Sequence, residues 1–271
     1  MTSDSSGRVV VLTGANGGIG RYLARTLVAD GYRVACIDRD TEYVDRVRDA
    51  APDRVAVYAI DVTDASAVQA AVDDVVEDWG RVDVLVNAVG VATVEPFDAQ
   101  DPATARSEFD ANYFGYTNAI RAVLPHMRAQ GGGIVHNVSS ATAIGGHPGM
   151  SGYAATKGAI DALSKSLRIE LAPDGIAVTR MRPPMTRTRL TDDLDYPDWL
   201  FADPEAVGRQ LARKVEATDA VVHADVQARL ETAVIDRFPW LWARVTRYFT
   251  DLDADDRRPE RTPTDDSPRE S

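Results

Sequence analysis

The chain has 271 residues, 44% of them hydrophobic and 27% charged, enough for one large core or two small ones. Its formal net charge of −12 argues against nonspecific nucleic-acid binding, which relies on clustered basic residues to neutralise phosphates. The single cysteine, Cys36, excludes an internal disulfide framework and a Cys-rich zinc site, and no metal site is expected. From the N-terminus, Met1 to Gly7 is short and polar, without the charged-then-apolar pattern of a signal peptide. Val9 to Leu12 is an apolar run ending in a glycine-rich turn, and Leu23, Leu27 and Val28 then recur at helical spacing until Gly31. Val34 to Ile37 and Val55 to Ile60 predict the second and third strands. Thr63 is the expected cap of a helix whose apolar face is Val68, Val72, Val75, Val76 and Trp79, ending at Gly80.

Val82 to Val86 is strand-like, and Phe109 to Met127 predicts a long helix broken near Pro125. Ile134 to Val138 is a fifth strand, Ser151 to Leu171 a helix, and Ile176 to Met181 a sixth strand. This alternation implies parallel strands joined by right-handed crossovers: an α/β, doubly wound (Rossmann) sheet in three α/β/α layers. With no repeat or linker before residue 185, residues 1–250 count as one domain with an extended helical C-terminal segment. Residues 185–205 have the mixed Asp, Arg and aromatic content of a lid over a substrate. Asp203 and Pro204 then open a helix as N-cap and N1. Residues 225–250 form an aromatic helical segment, in which Phe238 to Phe249 mixes tryptophans with arginines. That stretch covers the core, pairs with another subunit or rests on a membrane surface, and the first two are preferred because the adjoining acidic tail is repelled by anionic lipid. Residues 251–271 are charged, Pro-containing and expected to be disordered.

Thr13-Gly14-Ala15-Asn16-Gly17-Gly18-Ile19-Gly20 joins the first strand to the first helix, the context in which glycines admit a pyrophosphate to a helix N-terminus. Asp38, closing the second strand, can accept hydrogen bonds from the adenosine ribose and repels a 2′-phosphate, which favours NAD. Arg39 beside it can meet that phosphate, so NADP stays open. Tyr153 and Lys157 lie four apart on one helix face, where an ammonium, with the positive nicotinamide ring, favours a phenolate. Ser140 lies at a strand end, placed to hold a substrate oxygen, and the amide of Asn112 can tether a water that links Lys157 to solvent.

Thr13–Gly20, Asp61-Val62-Thr63, Asn87-Ala88-Val89-Gly90, Asn112, Ser139-Ser140, Tyr153-Ala154-Ala155-Thr156-Lys157 and Arg182-Pro183 occur in the order and spacing of the classical short-chain dehydrogenase/reductase (SDR) family, which the chain resembles over residues 8–190. The resemblance implies Tyr153 as general acid/base, Lys157 on the nicotinamide ribose and lowering the tyrosine pKa, Ser140 orienting substrate and Asn112 completing a proton relay. It places the dinucleotide on Gly14, Asn16, Gly18, Ile19, Gly20, Asp38, Arg39, Asp61, Val62, Asn87 and Gly90, with Thr186 and Thr188 near the carboxamide. Three features depart from the pattern. Ala88 replaces a sheet-bracing amide. Pro184 stands where a glycine is usual, so the loop beside the nicotinamide must follow another path. The familiar last strand with its closing Asp-Gly-Gly is absent, which weakens the inference of a tetramer.

The expected function is therefore NAD(P)-dependent interconversion of a secondary alcohol and a ketone, with an apolar substrate one reading of the lid aromatics and close packing of the lid the other. Reduction of a 3-oxoacyl thioester, or a non-catalytic dinucleotide-binding regulator, are the alternatives. His147 is read as loop surface. A homo-oligomer, dimer or tetramer, is expected. No apolar run approaches the eighteen or so residues of a membrane helix, so a cytoplasmic protein without stable membrane insertion is expected. Only three lysines (Lys157, Lys165, Lys214) occur among many arginines and aspartates. That surface is similar to those of halophilic proteins, although GC-rich coding produces the same bias.

Overall fold

The computed structural model describes residues 7–250. The expectation of a disordered tail, and most of the N-terminal segment, lie outside the described residues. Its elements, in chain order, are β1 (Val9–Thr13), α1 (Gly20–Ala29), β2 (Arg33–Asp38), α2 (Glu42–Ala50), β3 (Val55–Ala59), α3 (Ala65–Trp79), β4 (Val84–Asn87), α4 (Pro102–Phe109), α5 (Gly115–Ala129) and β5 (Gly133–Val138). There follow α6 (Thr142–Gly145), α7 (Ser151–Glu170), β6 (Ile176–Arg182), α8 (Pro204–Ala212), β7 (Val221–His223), α9 (Val226–Arg237) and α10 (Pro239–Phe249). All seven strands run parallel in the order β3-β2-β1-β4-β5-β6-β7. The order reverses between β1 and β4, and a crevice opens there at the strand C-termini, the usual ligand site of an open α/β sheet.

Burial on both faces explains why the strands read as unbroken β-branched runs. Every residue of β1 is buried. Residues of α1, α2 and α8 cover one face through Leu23, Leu27, Val44, Val207 and Leu211. Helices α3, α5 and α7 cover the other through Val68, Val72, Ala119, Val123 and Leu167. Each fully buried aliphatic side chain contributes about 1.5–3 kcal/mol, so the sandwiching of the sheet dominates local propensity.

Three expectations need correction. Asp64, not Thr63, caps α3: its carboxylate accepts the Ser66 and Ala67 N–H groups, while the Thr63 N–H is taken by Asp61. The long helix is not broken at Pro125, which stands exposed inside α5, where water can serve the carbonyl it leaves unbonded. It is interrupted instead by a π turn over Asp110–Phe114, the kind of bulge often found at functional sites. A last strand does exist. β7 pairs with β6 through Arg180↔Val221, Met181↔Val222 and Arg182↔His223, without an Asp-Gly-Gly, and three residues are too few to show a period. Asp203 does cap α8, with Pro204 in its first turn.

The Phe238–Phe249 stretch packs partly on its own domain. Trp242 donates its indole N–H to the Gly146 carbonyl at 2.8 Å, and the Phe249 ring lies 5.1 Å from that of Tyr196.

One buried group sets an acid limit on stability. His136 on β5 is wholly enclosed, with Nδ1 against Thr179 and Nε2 against the Val215 carbonyl, and burial holds its pKa down at about 4. The unfolded chain protonates this ring from about pH 6.5, so stability present above that pH is lost progressively as pH falls towards 4, by about 3 kcal/mol from this group. Urea unfolding of the wild type and of His136→Gln between pH 7 and pH 4 checks the expectation. Parallel pH profiles for the two proteins would contradict it.

Candidate active site

The crevice is a cleft of about 1100 Å³ running from the glycine-rich turn, past the ends of β4 and β5, to the loop after β6. At its nucleotide end, Gly14 has φ +70° and packs so closely that a Cβ would come within 2.7 Å of the Ala88 backbone. Gly18 faces Thr188, whose Cγ2 would lie 2.4 Å from a Cβ there. The Arg21 and Leu23 N–H groups of α1 already meet the Gly17 and Ile19 carbonyls, and the positive dipole end of the helix beside the cleft-lining glycines suits a pyrophosphate. Gly14, Gly18, Ile19, Gly20, Asp38, Arg39, Asp61, Val62, Gly90, Thr186 and Thr188 all line the cleft, so the residues present fit a dinucleotide.

Asp38 closes this end. One carboxylate oxygen accepts the Asn16 N–H at 2.9 Å, which ties β2 to the glycine turn. Arg39, largely exposed, reaches across to the half-buried Asp61, 3.6 Å away. Two residues serve differently from expectation. Asn16 lines the cleft, but its side-chain oxygen accepts the Tyr43 and Val44 N–H groups and caps the start of α2. Asn87 does not reach the cleft surface. It is fully buried and bonds Thr13 at 3.3 Å and Asn137 at 3.0 Å, so a polar rung crosses β1, β4 and β5. That rung braces the sheet where Ala88 supplies no amide.

The other end of the cleft draws on two elements. Tyr153 and Lys157 project from α7, and Ser140 follows β5. Ser140 and Tyr153 line the cleft together, and the Ser140 hydroxyl favours the ionised form of the phenol. The Ser140 hydroxyl in turn accepts from the Thr142 N–H at 3.2 Å and its hydroxyl at 3.0 Å, which fixes its direction. Its neighbour Ser139 is turned away and donates to Asp161 at 2.6 Å. The choice between the two serines is thus a matter of which faces the cleft.

The electrostatics differ from expectation. Burial pushes the Tyr153 phenol up to about 12, against the smaller lowering effect of the Ser140 hydroxyl. Burial likewise pulls the Lys157 amine down to about 7, with Asp161 acting the other way. Its Nζ lies 5.6 Å from the Tyr153 ring centre. Asn112, on the π turn, also departs from its expected part. Both amide hydrogens are spent on the Val91 carbonyl and the Thr156 hydroxyl, and its oxygen accepts the Val91 N–H. The side chain therefore clamps the loop after β4 and has no donor left for a relay water.

Residues that sequence reasoning missed complete the site. Glu108, one turn before the π turn, is buried, accepts the Thr93 N–H at 2.7 Å and bears on Tyr153. Glu231 of α9 lines the cleft, its carboxyl raised to about 7 by burial. Tyr116 sits beneath Lys157. None stands in a distinctive local pattern. His147 is more than surface: its Nε2 meets the Tyr196 hydroxyl at 2.9 Å, pinning the 185–205 segment to the loop after β5. Tyr196 packs with Met150, Tyr153 and Leu194, so this lid aromatic holds the segment down, whereas Trp199 stays exposed. Thr186 turns its hydroxyl to the Pro184 carbonyl and pairs with Ala202 in an isolated bridge.

Among the described residues no cluster could hold a metal ion, and no helix is long and apolar enough to cross a membrane. A family model described as short chain dehydrogenase matches residues 8–198. A 2-(R)-hydroxypropyl-CoM dehydrogenase of Xanthobacter autotrophicus is 34% identical, over 76% of this chain and 83% of its own. A short chain dehydrogenase from Burkholderia cenocepacia, solved with NADP, has a TM-score of 0.77 at 26% identity, covering 90% of this chain and 98% of that one. A 3-ketoacyl-(acyl-carrier-protein) reductase from Brucella melitensis, solved with NADH, has a TM-score of 0.73 at 26% identity, covering 80% and 96%.

Proposed function

The chain belongs to the short chain dehydrogenase family and is an NAD(P)-dependent oxidoreductase, and we propose that it interconverts a secondary alcohol and a ketone with Tyr153 as the acid/base. The observation that carries this reading is that Ser140, Tyr153 and Lys157 together line the end of the cleft opposite the glycine turn. When bound, the dinucleotide supplies or accepts the hydride. Ser140 holds the substrate oxygen and orients it, and Tyr153 gives that oxygen a proton in reduction or takes one in oxidation. Lys157 supplies positive charge below the phenol, and Asn112 keeps the loop after β4 in place. Thr186 and Thr188 would hold the nicotinamide side, and Asp38, Asp61 and Val62 the adenosine side.

NAD is the preferred cofactor. Asp38 presents a carboxylate where a 2′-phosphate would sit, and Arg39 is drawn to Asp61. Asp38→Ala is expected to reduce the preference for NAD over NADP by about tenfold or more, since like-charge repulsion of over 1.4 kcal/mol is removed. Ratios of kcat/KM for the two cofactors measure it, and an unchanged ratio would assign the preference elsewhere.

The substrate has an apolar body, matching Met150, Met185, Leu194 and Trp242 around the reacting end, under a lid formed by residues 185–205. The protein acts in the cytoplasm as a homo-oligomer, with exposed Phe114 and Ile169 available for subunit contact, and its acidic surface suits high salt. One screen tests the assignment: cofactor reduction or oxidation over secondary alcohols, ketones and a 3-oxoacyl thioester, in low and molar salt. Turnover of the thioester alone would replace the alcohol reading. Cofactor binding without turnover of any of these would leave a dinucleotide-binding regulator.

A further inference from the structure

The Lys157 ammonium is almost completely enclosed, at 2% exposure, and a buried charge needs each of its protons met. They face the Val138 carbonyl at 3.0 Å, the Tyr116 hydroxyl at 3.0 Å and the Val89 carbonyl at 3.4 Å. Tyr116 lies at the start of α5 with no exposure at all. A phenol carries one proton and can still accept. Its proton goes to the Val89 carbonyl at 2.8 Å or the Val138 carbonyl at 3.2 Å, which leaves a lone pair towards Nζ. The Tyr116 ring adds a second attraction, its centre 4.8 Å from the ammonium. Phenylalanine would fill the same volume, so the hydroxyl is there for these three oxygen and nitrogen partners.

We propose that Tyr116 is a positioning residue for the reaction: its hydroxyl, hung between the ends of β4 and β5, anchors the Lys157 ammonium beside Tyr153. The inference rests on the reading of Tyr153 as acid/base and extends it to the group that keeps the neighbouring charge in place. The sign of the effect follows from the surroundings. Burial favours neutral Lys157, whereas the Tyr116 lone pair favours its charged form. Losing the hydroxyl therefore reduces positive charge near Tyr153, and the phenol ionises only at higher pH.

In Tyr116→Phe, the acid limb of the kcat profile for alcohol oxidation is expected to move up by about one pH unit, with dinucleotide affinity and the alcohol KM little changed. A limb at the wild-type position, whatever the loss of kcat, would mean that the hydroxyl only fills space and would overturn the proposal. A second measurement needs neither the variant nor turnover. The chain has only three lysines, so ¹⁵N-lysine labelling of the wild type resolves their side-chain ammonium signals. Lys157 should exchange protons with water far more slowly than exposed Lys165. Equally fast exchange would show that the ammonium is not anchored, and this result is independent of whether Tyr153 is the acid/base.

Discussion

Tyr153→Phe is expected to bind the dinucleotide as the wild type does and to lose at least about a thousandfold in kcat, in line with general acid–base contributions of about 10²–10⁴ compounded by the loss of substrate alignment. The variant removes one oxygen. The ring stays packed against Met150, Leu194 and Tyr196, so the fold and the lid have no reason to change. Because burial holds the phenol high, it is a competent acid for ketone reduction at neutral pH, and alcohol oxidation gains with rising pH as the phenolate forms. Steady-state kinetics in both directions, with dinucleotide affinity followed by NADH fluorescence, separate loss of chemistry from loss of binding. Near-normal turnover by the variant would refute the assignment of Tyr153.

The second large effect concerns the scaffold that aims α7. Asp161, one turn after Lys157, accepts from Arg182 at 2.5 Å and Ser139 at 2.6 Å, with Arg180 at 3.4 Å. These groups are nearly enclosed, and they tie α7 to β6 and to the end of β5. Asp161→Ala leaves the Arg182 guanidinium buried without its partner and is expected to cost about 3–5 kcal/mol, lowering Tm by about 10 °C for a chain of this size. The double variant Asp161→Leu/Arg182→Met removes both charges and is expected to recover much of that loss. Calorimetry decides: an unaltered Tm in the single variant would mean that the ion pair contributes nothing net.

The same scaffold explains the limits of reading the site from sequence. Tyr153 and Lys157 were legible because four-residue spacing puts two side chains on one helix face wherever the helix packs. Ser140 was legible because a strand end in a parallel sheet points at the crevice. Asn112 was read as the tether of a relay water, whereas its amide is spent on Val91 and Thr156, and the π turn that sends it there leaves no trace in hydrophobic period. Asn87, read as lying beside the adenosine ribose, is enclosed within the sheet for a similar reason. Whether a polar side chain at a strand end faces the cleft or the neighbouring strand depends on register, and here it meets Asn137 of β5.

The sequence by itself determined the order of strands and helices, the glycine turn, the acid at the end of β2 and the spacing of the reactive pair. Those features are local, set by side-chain alternation, turn chemistry and helical pitch over a few residues. Tertiary structure alone decided that β7 completes the sheet, that Tyr116 and Glu108 surround the reactive pair, and that Glu231 reaches the cleft from the far end of the chain. Such groups owe their chemistry to burial and to partners dozens of residues away, and desolvation by a neighbouring element is a property of packing that no local pattern encodes.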